Sequence, residues 1–161
     1  MGLLQWLNDT GLSVYMRESL WGYPVALTLH AIGMGLLVGV VAILDLRVLG
    51  VFRQIAFPGL SKWFPVLLVG FLVNLISGTM LYLSDPISLL KNVAFVVKII
   101  LVFIGLVFLL VMRATPAFKN IANMDGSAVG GVPAKTVAVI SLIVWVAAVT
   151  AGRLTGYVMA E

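Results

Sequence analysis

The sequence predicts an all-α integral membrane protein: a four-helix bundle in one domain, preceded by a short amphipathic helix at the membrane surface. Three observations carry this. Of 161 residues, 62% are hydrophobic and 10% charged, and the mean hydropathy is +1.17, beyond what a water-soluble domain with a polar exterior reaches. Four long apolar runs, at about 22–44, 63–83, 92–112 and 137–158, each match the roughly 20 residues a helix needs to cross a hydrocarbon core about 30 Å thick. The runs are continuous rather than alternating, which excludes transmembrane strands, and in lipid only a helix satisfies its own backbone.

Residues 3–20 set Leu3, Leu4, Leu7, Leu12, Val14 and Tyr15 among polar residues, the pattern of a short helix lying on the bilayer. No cationic stretch precedes the first apolar run, and Asp9, Arg17 and Glu18 interrupt the segment, so it does not read as a signal peptide. Trp21, Tyr23, Tyr82 and Tyr157 fall at one boundary and Trp63 at the other, an interfacial belt, while Trp145 lies deeper and reads as core. Pro24 and Pro65 suit the first turns of their helices. Pro, Gly, Asp or Lys separate the runs at 58–62, 84–91 and 113–136. The Gly-rich segment "NMDGSAVGGVP", Asn123–Pro133, has no phosphate-binding pattern.

Arg47, Arg53 and Lys62 in the first loop and Arg113, Lys119 and Lys135 in the third, against Lys91 alone in the second, place the first and third loops in the cytoplasm. Both termini then lie outside. The net charge of +4 is scattered over helix ends, so it reads as topology and not as a nucleic-acid footprint. The absence of cysteine excludes thiolate-held clusters, covalent haem attachment, thiol catalysis and disulfides.

With each span's midpoint at the bilayer centre and about 1.5 Å of rise per residue, His30, Lys98 and Arg153 fall roughly 5, 6 and 9 Å toward the outer side. They form one layer. Asn74, Ser77 and Thr79 occupy the same half, Thr150 and Tyr157 flank Arg153, and the inner halves hold no ionisable residue. An ionisable side chain in a bilayer costs about 2.5–3.5 kcal/mol on insertion scales, so such residues face the bundle interior or a cavity. No Asp or Glu falls within the four runs to neutralise Lys98 and Arg153. The missing anion is Glu18 or Asp85 folding inward, with the cations otherwise snorkelling outward along their stems, or it is a ligand: haem propionates, a quinone-type headgroup or a lipid phosphate.

His30, the one histidine, either hydrogen-bonds a neighbouring helix or ligates a metal. Gly33 and Met34 lie one turn along its face, and Gly35 with Gly39 has the Gly-x-x-x-Gly spacing that lets a helix or a flat ring approach. A neutral imidazole beside open space is what an iron porphyrin requires. With one histidine per chain, the iron is five-coordinate, methionine-ligated or shared across a symmetric dimer. Met34 shares a helix with His30 and cannot oppose it, which leaves Met80 as the candidate thioether.

The segments "RESLWGYPVALTLHAIGMGLLVG", "DLRVLG", "NVAFVVKIILV" and "AAVTAGRLTGY", in this order across nearly the whole chain, resemble a bacterial family of small four-helix inner-membrane proteins, the domain-of-unknown-function family numbered 6644. That resemblance implies the fold and no activity. More distantly, the "LH" of His30 and the "F-x-x-K" of Lys98 resemble CopD and HemJ-like membrane proteins, some associated with b-type haem, and this implies a functional role for those two residues.

The expected function is a b-type haem-binding protein of the bacterial inner membrane, in electron transfer or as a redox subunit. His30, Lys98, Arg153, Gly33, Asn74 and Ser77 form the cofactor site, with His30 and Met80 as metal ligands and a quinone or lipid headgroup as the alternative ligand. The alternative function is a non-catalytic membrane subunit or anchor that docks a partner such as a periplasmic redox protein, or that assembles into a homo-oligomer or larger membrane complex. No nucleophile–base pair, metal-ligand cluster or carboxylate pair marks an enzyme.

Overall fold

The computed structural model describes residues 2–51, 60–114 and 132–158. Among the described residues there are seven helices and no strand: α1 (Leu3–Asn8), α2 (Gly11–Glu18), α3 (Gly22–Val48), α4 (Leu60–Ser84), α5 (Pro86–Lys91), α6 (Val93–Ala114) and α7 (Val132–Val158). Helices α3, α4, α6 and α7 contain the stretches long and apolar enough to cross a membrane, Gly22–Val48, Lys62–Ser84, Val93–Met112 and Pro133–Val158. Arg53, Lys119 and most of the Gly-rich segment, residues 123–131, lie outside the described residues.

The four expected spans are all helical, and their ends differ from the expectation for identifiable reasons. Helix α3 continues one turn past residue 44, because a charged residue does not stop a helix and Gly50 does. Gly50 takes φ 93°, its N–H donates to the Arg47 carbonyl at 3.0 Å, and the Val51 N–H donates to the Leu46 carbonyl at 2.9 Å, which satisfies the last carbonyls of the helix. Helix α4 starts at Leu60, so Pro65 sits inside it and not in its first turn.

The expected single surface helix over 3–20 is two helices. Thr10 divides them, its hydroxyl donating to the Leu7 carbonyl at 2.9 Å and accepting from the Ser13 N–H at 3.4 Å. Ser13 and Met16 are buried, and the Arg17 guanidinium donates to the side chain and carbonyl of Asn8 at 2.9 and 2.8 Å and to the Ser84 carbonyl at 3.4 Å. This clamps the N-terminal pair to the end of α4. The second loop also holds a helix, α5, with Pro86 in its first turn and the Asp85 carboxylate accepting from the Ser88 N–H at 3.1 Å. Asn92 begins α6, accepting from the Phe95 N–H at 3.2 Å while donating to the Thr155 carbonyl of α7 at 3.0 Å.

The spans pack as two antiparallel pairs, α3 with α4 and α6 with α7, joined along α3 and α7. Between lipid-soluble helices, close approach requires small side chains. At the first seam a Cβ on Gly33 would stand 2.7 Å from the Asn74 backbone nitrogen, and one on Gly70 would stand 2.9 Å from Leu36 Cβ and the Leu37 nitrogen. At the second seam the Trp145 indole lies across Gly105, where a Cβ would meet its Cε2 at 2.7 Å. Leu37, Val41, Leu44, Leu67, Met112, Ala138 and Trp145 fill the core at the end away from the N-terminal helices. The α4 and α6 backbones stay apart, the Tyr82 and Phe95 rings stack across the interval with centroids 5.9 Å apart, and the pairs part around a cavity.

Candidate functional site

The cavity has a volume of about 550 Å³, within the size range of small-molecule sites, and all four spans line it. Its wall is mostly apolar, with Leu27, Met34, Phe71, Leu75, Phe95, Val102 and Val149 on the sides and Trp145 at the deep end. Its nitrogen-bearing polar side chains come one from each span, His30, Asn74, Lys98 and Arg153, and Asp85 with the hydroxyls of Tyr23, Thr79, Tyr82, Ser84 and Thr155 completes the polar lining.

His30 is buried, and both ring nitrogens have partners. Nδ1 lies 3.1 Å from the Asn74 carbonyl and 3.3 Å from Ser77 Oγ. A carbonyl only accepts, so Nδ1 carries the proton and Nε2 presents a lone pair. The Lys98 ammonium donates to that lone pair at 3.0 Å. The Ser77 hydroxyl donates backward along α4 to the Val73 carbonyl at 2.6 Å, which leaves its oxygen as an acceptor for the imidazole N–H. Asn74 completes the bracket: its Nδ2 donates to the His30 carbonyl at 3.0 Å, so α3 and α4 exchange hydrogen bonds at this one level.

Two glycines that the sequence reading passed over shape the pair. Gly78 faces the imidazole, where a Cβ would meet Cε1 at 3.0 Å, and Gly152 carries the Lys98 stem, where a Cβ would lie 3.3 Å from Cδ and 3.4 Å from Cε. The signal was available, since both are small residues at the depth of His30 and Lys98 on the two other spans. Lys98 therefore crosses from α6 over a bare patch of α7 to reach a histidine on α3.

The structure brings together His30, Lys98, Asn74 and Ser77, and it places Arg153 on the cavity wall with its side chain exposed. Gly33 has a different role. It is a packing residue against the α4 backbone and not part of the wall, because no side chain fits there. Gly35 and Gly39, expected to admit a helix or ring, face open space with nothing within 4 Å of a Cβ built on either. The small face that makes the seam is Gly33 with Gly70, one side of α3 away.

Neither Glu18 nor Asp85 pairs with Lys98 or Arg153: Glu18 is exposed, and the Asp85 carboxylate caps α5. Asp85 is thus the one carboxylate among the described residues that line the cavity, and no ion pair joins it to Lys98 or Arg153. The expectation that the spans contain no acid does not hold, however. Asp45 lies inside α3 and is fully buried, one residue beyond the apolar run that was read as the first span.

Haem iron requires the imidazole lone pair that the Lys98 ammonium occupies. The tautomer suits a metal ligand, but the access does not. Met80 is not on the cavity wall, so the expected thioether does not face His30, and among the described residues no group of three His, Asp or Glu side chains could hold a metal ion. As arranged, these residues do not fit an iron porphyrin.

No curated protein and no solved structure matches this chain. A family model does, over residues 5–158, and it covers every helix from α2 to α7 together with all the residues of the polar layer. The chain belongs to the family of unknown function DUF6644.

Proposed function

We propose that this protein binds a membrane-dissolved amphiphile with an apolar body and an anionic or hydrogen-bond-accepting headgroup, a quinone-type molecule or a lipid. One observation carries the reading: a Lys98 ammonium on the wall of a mostly apolar cavity, held by a neutral imidazole and in no ion pair with Asp85, the one carboxylate among the described lining residues. An ammonium has three N–H donors, and His30 accepts one of them. The remainder, with the exposed guanidinium of Arg153, form a donor-rich end on a cavity whose other walls suit hydrocarbon. A headgroup seated there supplies an acceptor, and the chain of the amphiphile lies along the apolar walls of the cavity.

His30 acts as a positioning residue in this reading. Its proton is fixed at Nδ1 by Asn74 and Ser77, so Nε2 orients one N–H of Lys98 and the other two are aimed by default. This reading sets the site in the outer leaflet of a bacterial cytoplasmic membrane with both termini outside, and it is supported by Arg47, Lys62 and Lys135 at the end of the bundle away from the cavity.

The test is purification in a mild detergent, organic extraction and mass spectrometry of what comes with the protein, beside its visible absorbance. A quinone or a defined lipid near one per chain in the wild type, lost in Lys98→Met, supports the proposal and identifies the source. A Soret band that disappears in His30→Ala, or equal background extracts from both proteins, overturns it.

A further inference from the structure

A second polar place lies in the opposite half of the bundle, away from the cavity. Asp45 on α3 and Ser141 on α7 are each fully buried, and apart from their approach to each other neither the two carboxyl oxygens nor the serine hydroxyl has a hydrogen-bond partner. They are neighbours across the α3–α7 seam, where Ser141 is the side chain that acts on the Asp45 carboxyl. The core of this half of the bundle is apolar, with Leu44, Val41, Met112 and Ala138 among its buried members. Arg47, two residues on, leaves α3 on another side and has its own interactions. Lys62 and Lys135 stand at the starts of α4 and α7, and no Lys or Arg among the described residues forms an ion pair with Asp45.

Interior polar atoms are almost always paired, and each exception needs a cause. A bare carboxylate in an apolar interior is the most costly exception of all, because its charge has neither water nor a counter-charge. A buried carboxyl whose one polar neighbour is a serine hydroxyl defines a site for something small and positive. We propose that Asp45 and Ser141 bind a small monovalent cation, a proton or a sodium ion, in the half of the membrane remote from the ligand cavity. The site is independent of the amphiphile reading, since it shares no residue with the cavity.

Infrared spectroscopy of the full-length protein in liposomes tests this, with sodium chloride exchanged for choline chloride at constant pH and ionic strength. A bound proton gives a carboxylic-acid C=O band at neutral pH that shifts in D2O, is missing in Asp45→Asn and is indifferent to sodium. A bound sodium ion gives the same band in choline and its loss in sodium. Should Asp45→Asn not fold, Ser141→Ala provides the second reading, because loss of the hydroxyl shifts the same band. The proposal fails if no Asp45-dependent acid band is present in either salt, which would mean a carboxylate that carries its charge without a cation.

Discussion

Replacing Gly33 by Ala adds one methyl group at the tightest point of the α3–α4 seam. Its Cβ would stand 2.7 Å from the Asn74 nitrogen and 2.9 Å from the Gly70 carbonyl oxygen, both backbone atoms that cannot swing away. Restoring ordinary contact at 3.4 Å moves the helices apart by about 0.7 Å, and a gap of this size forfeits a quarter to a half of each dispersion contact along the seam. Overpacking of this kind costs about 1–3 kcal/mol, and the rigid partner atoms place it at the upper end. Ala gains about 1 kcal/mol over Gly in helix propensity, which leaves a net loss of about 2 kcal/mol and a Tm lower by about 4–8 °C for a chain of this size. Gly35→Ala, two residues away, is the control. Nothing lies within 4 Å of its Cβ, so only the propensity gain remains and the Tm rises by about 2–4 °C. Thermal unfolding of both variants in one detergent, followed by tryptophan fluorescence, measures the contrast. The packing argument is refuted if Gly33→Ala melts at or above the wild type, or if the two substitutions shift the midpoint in the same direction.

Removing one member of the Lys98–His30 pair leaves the other buried without its partner. His30→Ala and Lys98→Met should each destabilise by about 1–3 kcal/mol, and the double variant by less than their sum; additivity within about 0.5 kcal/mol in a double-mutant cycle would show that the two do not interact. Arg153→Ala removes an exposed side chain with no partner among the described residues, so its stability should stay within about ±0.5 kcal/mol of wild type while ligand recovered by extraction falls; a large Tm loss would assign Arg153 to the fold. Asn92→Ala removes both the cap of α6 and the bond to Thr155 and should cost about 1–2 kcal/mol, read from the same melting curves. Gly50→Ala forces a Cβ into φ 93° at the end of α3 and should cost about 1–2 kcal/mol, with a neutral result arguing against the observed helix terminus.

The spans were legible because length and hydropathy decide membrane crossing almost alone. The common level of His30, Lys98 and Arg153 was legible for a related reason: a helix converts residue number directly into depth. Which side of a helix a residue occupies is settled instead by its neighbours. Gly33 and Gly35 are indistinguishable in the sequence, yet one is pressed against a backbone and the other faces open space, since α4 brings Gly70 to only one of them. The same limit applies to Met34 and Met80. The first lines the cavity and the second does not, and no spacing rule within a single span distinguishes them.

Asp45 shows a different failure. A hydropathy reading ends a span at the first charge, so it treats a buried acid near a helix end as the start of a loop. The helix itself responds to other signals, and Gly50 was in the sequence to mark its end. Extending the span to that glycine places an acid in the half of the bundle that had seemed to lack ionisable groups, and it gives α3 two polar positions, His30 and Asp45, separated by about 22 Å of helix axis. Both face α4, α6 or α7 and not lipid, because each is buried. Helix α7 spans the same interval with Ser141 beside Asp45, Trp145 one turn further with its indole Nε1 buried and unpaired at the deep end of the cavity, and Gly152 under the Lys98 stem. Helix α7 thus borders both polar places, Asp45 through Ser141 and the Lys98 stem through Gly152.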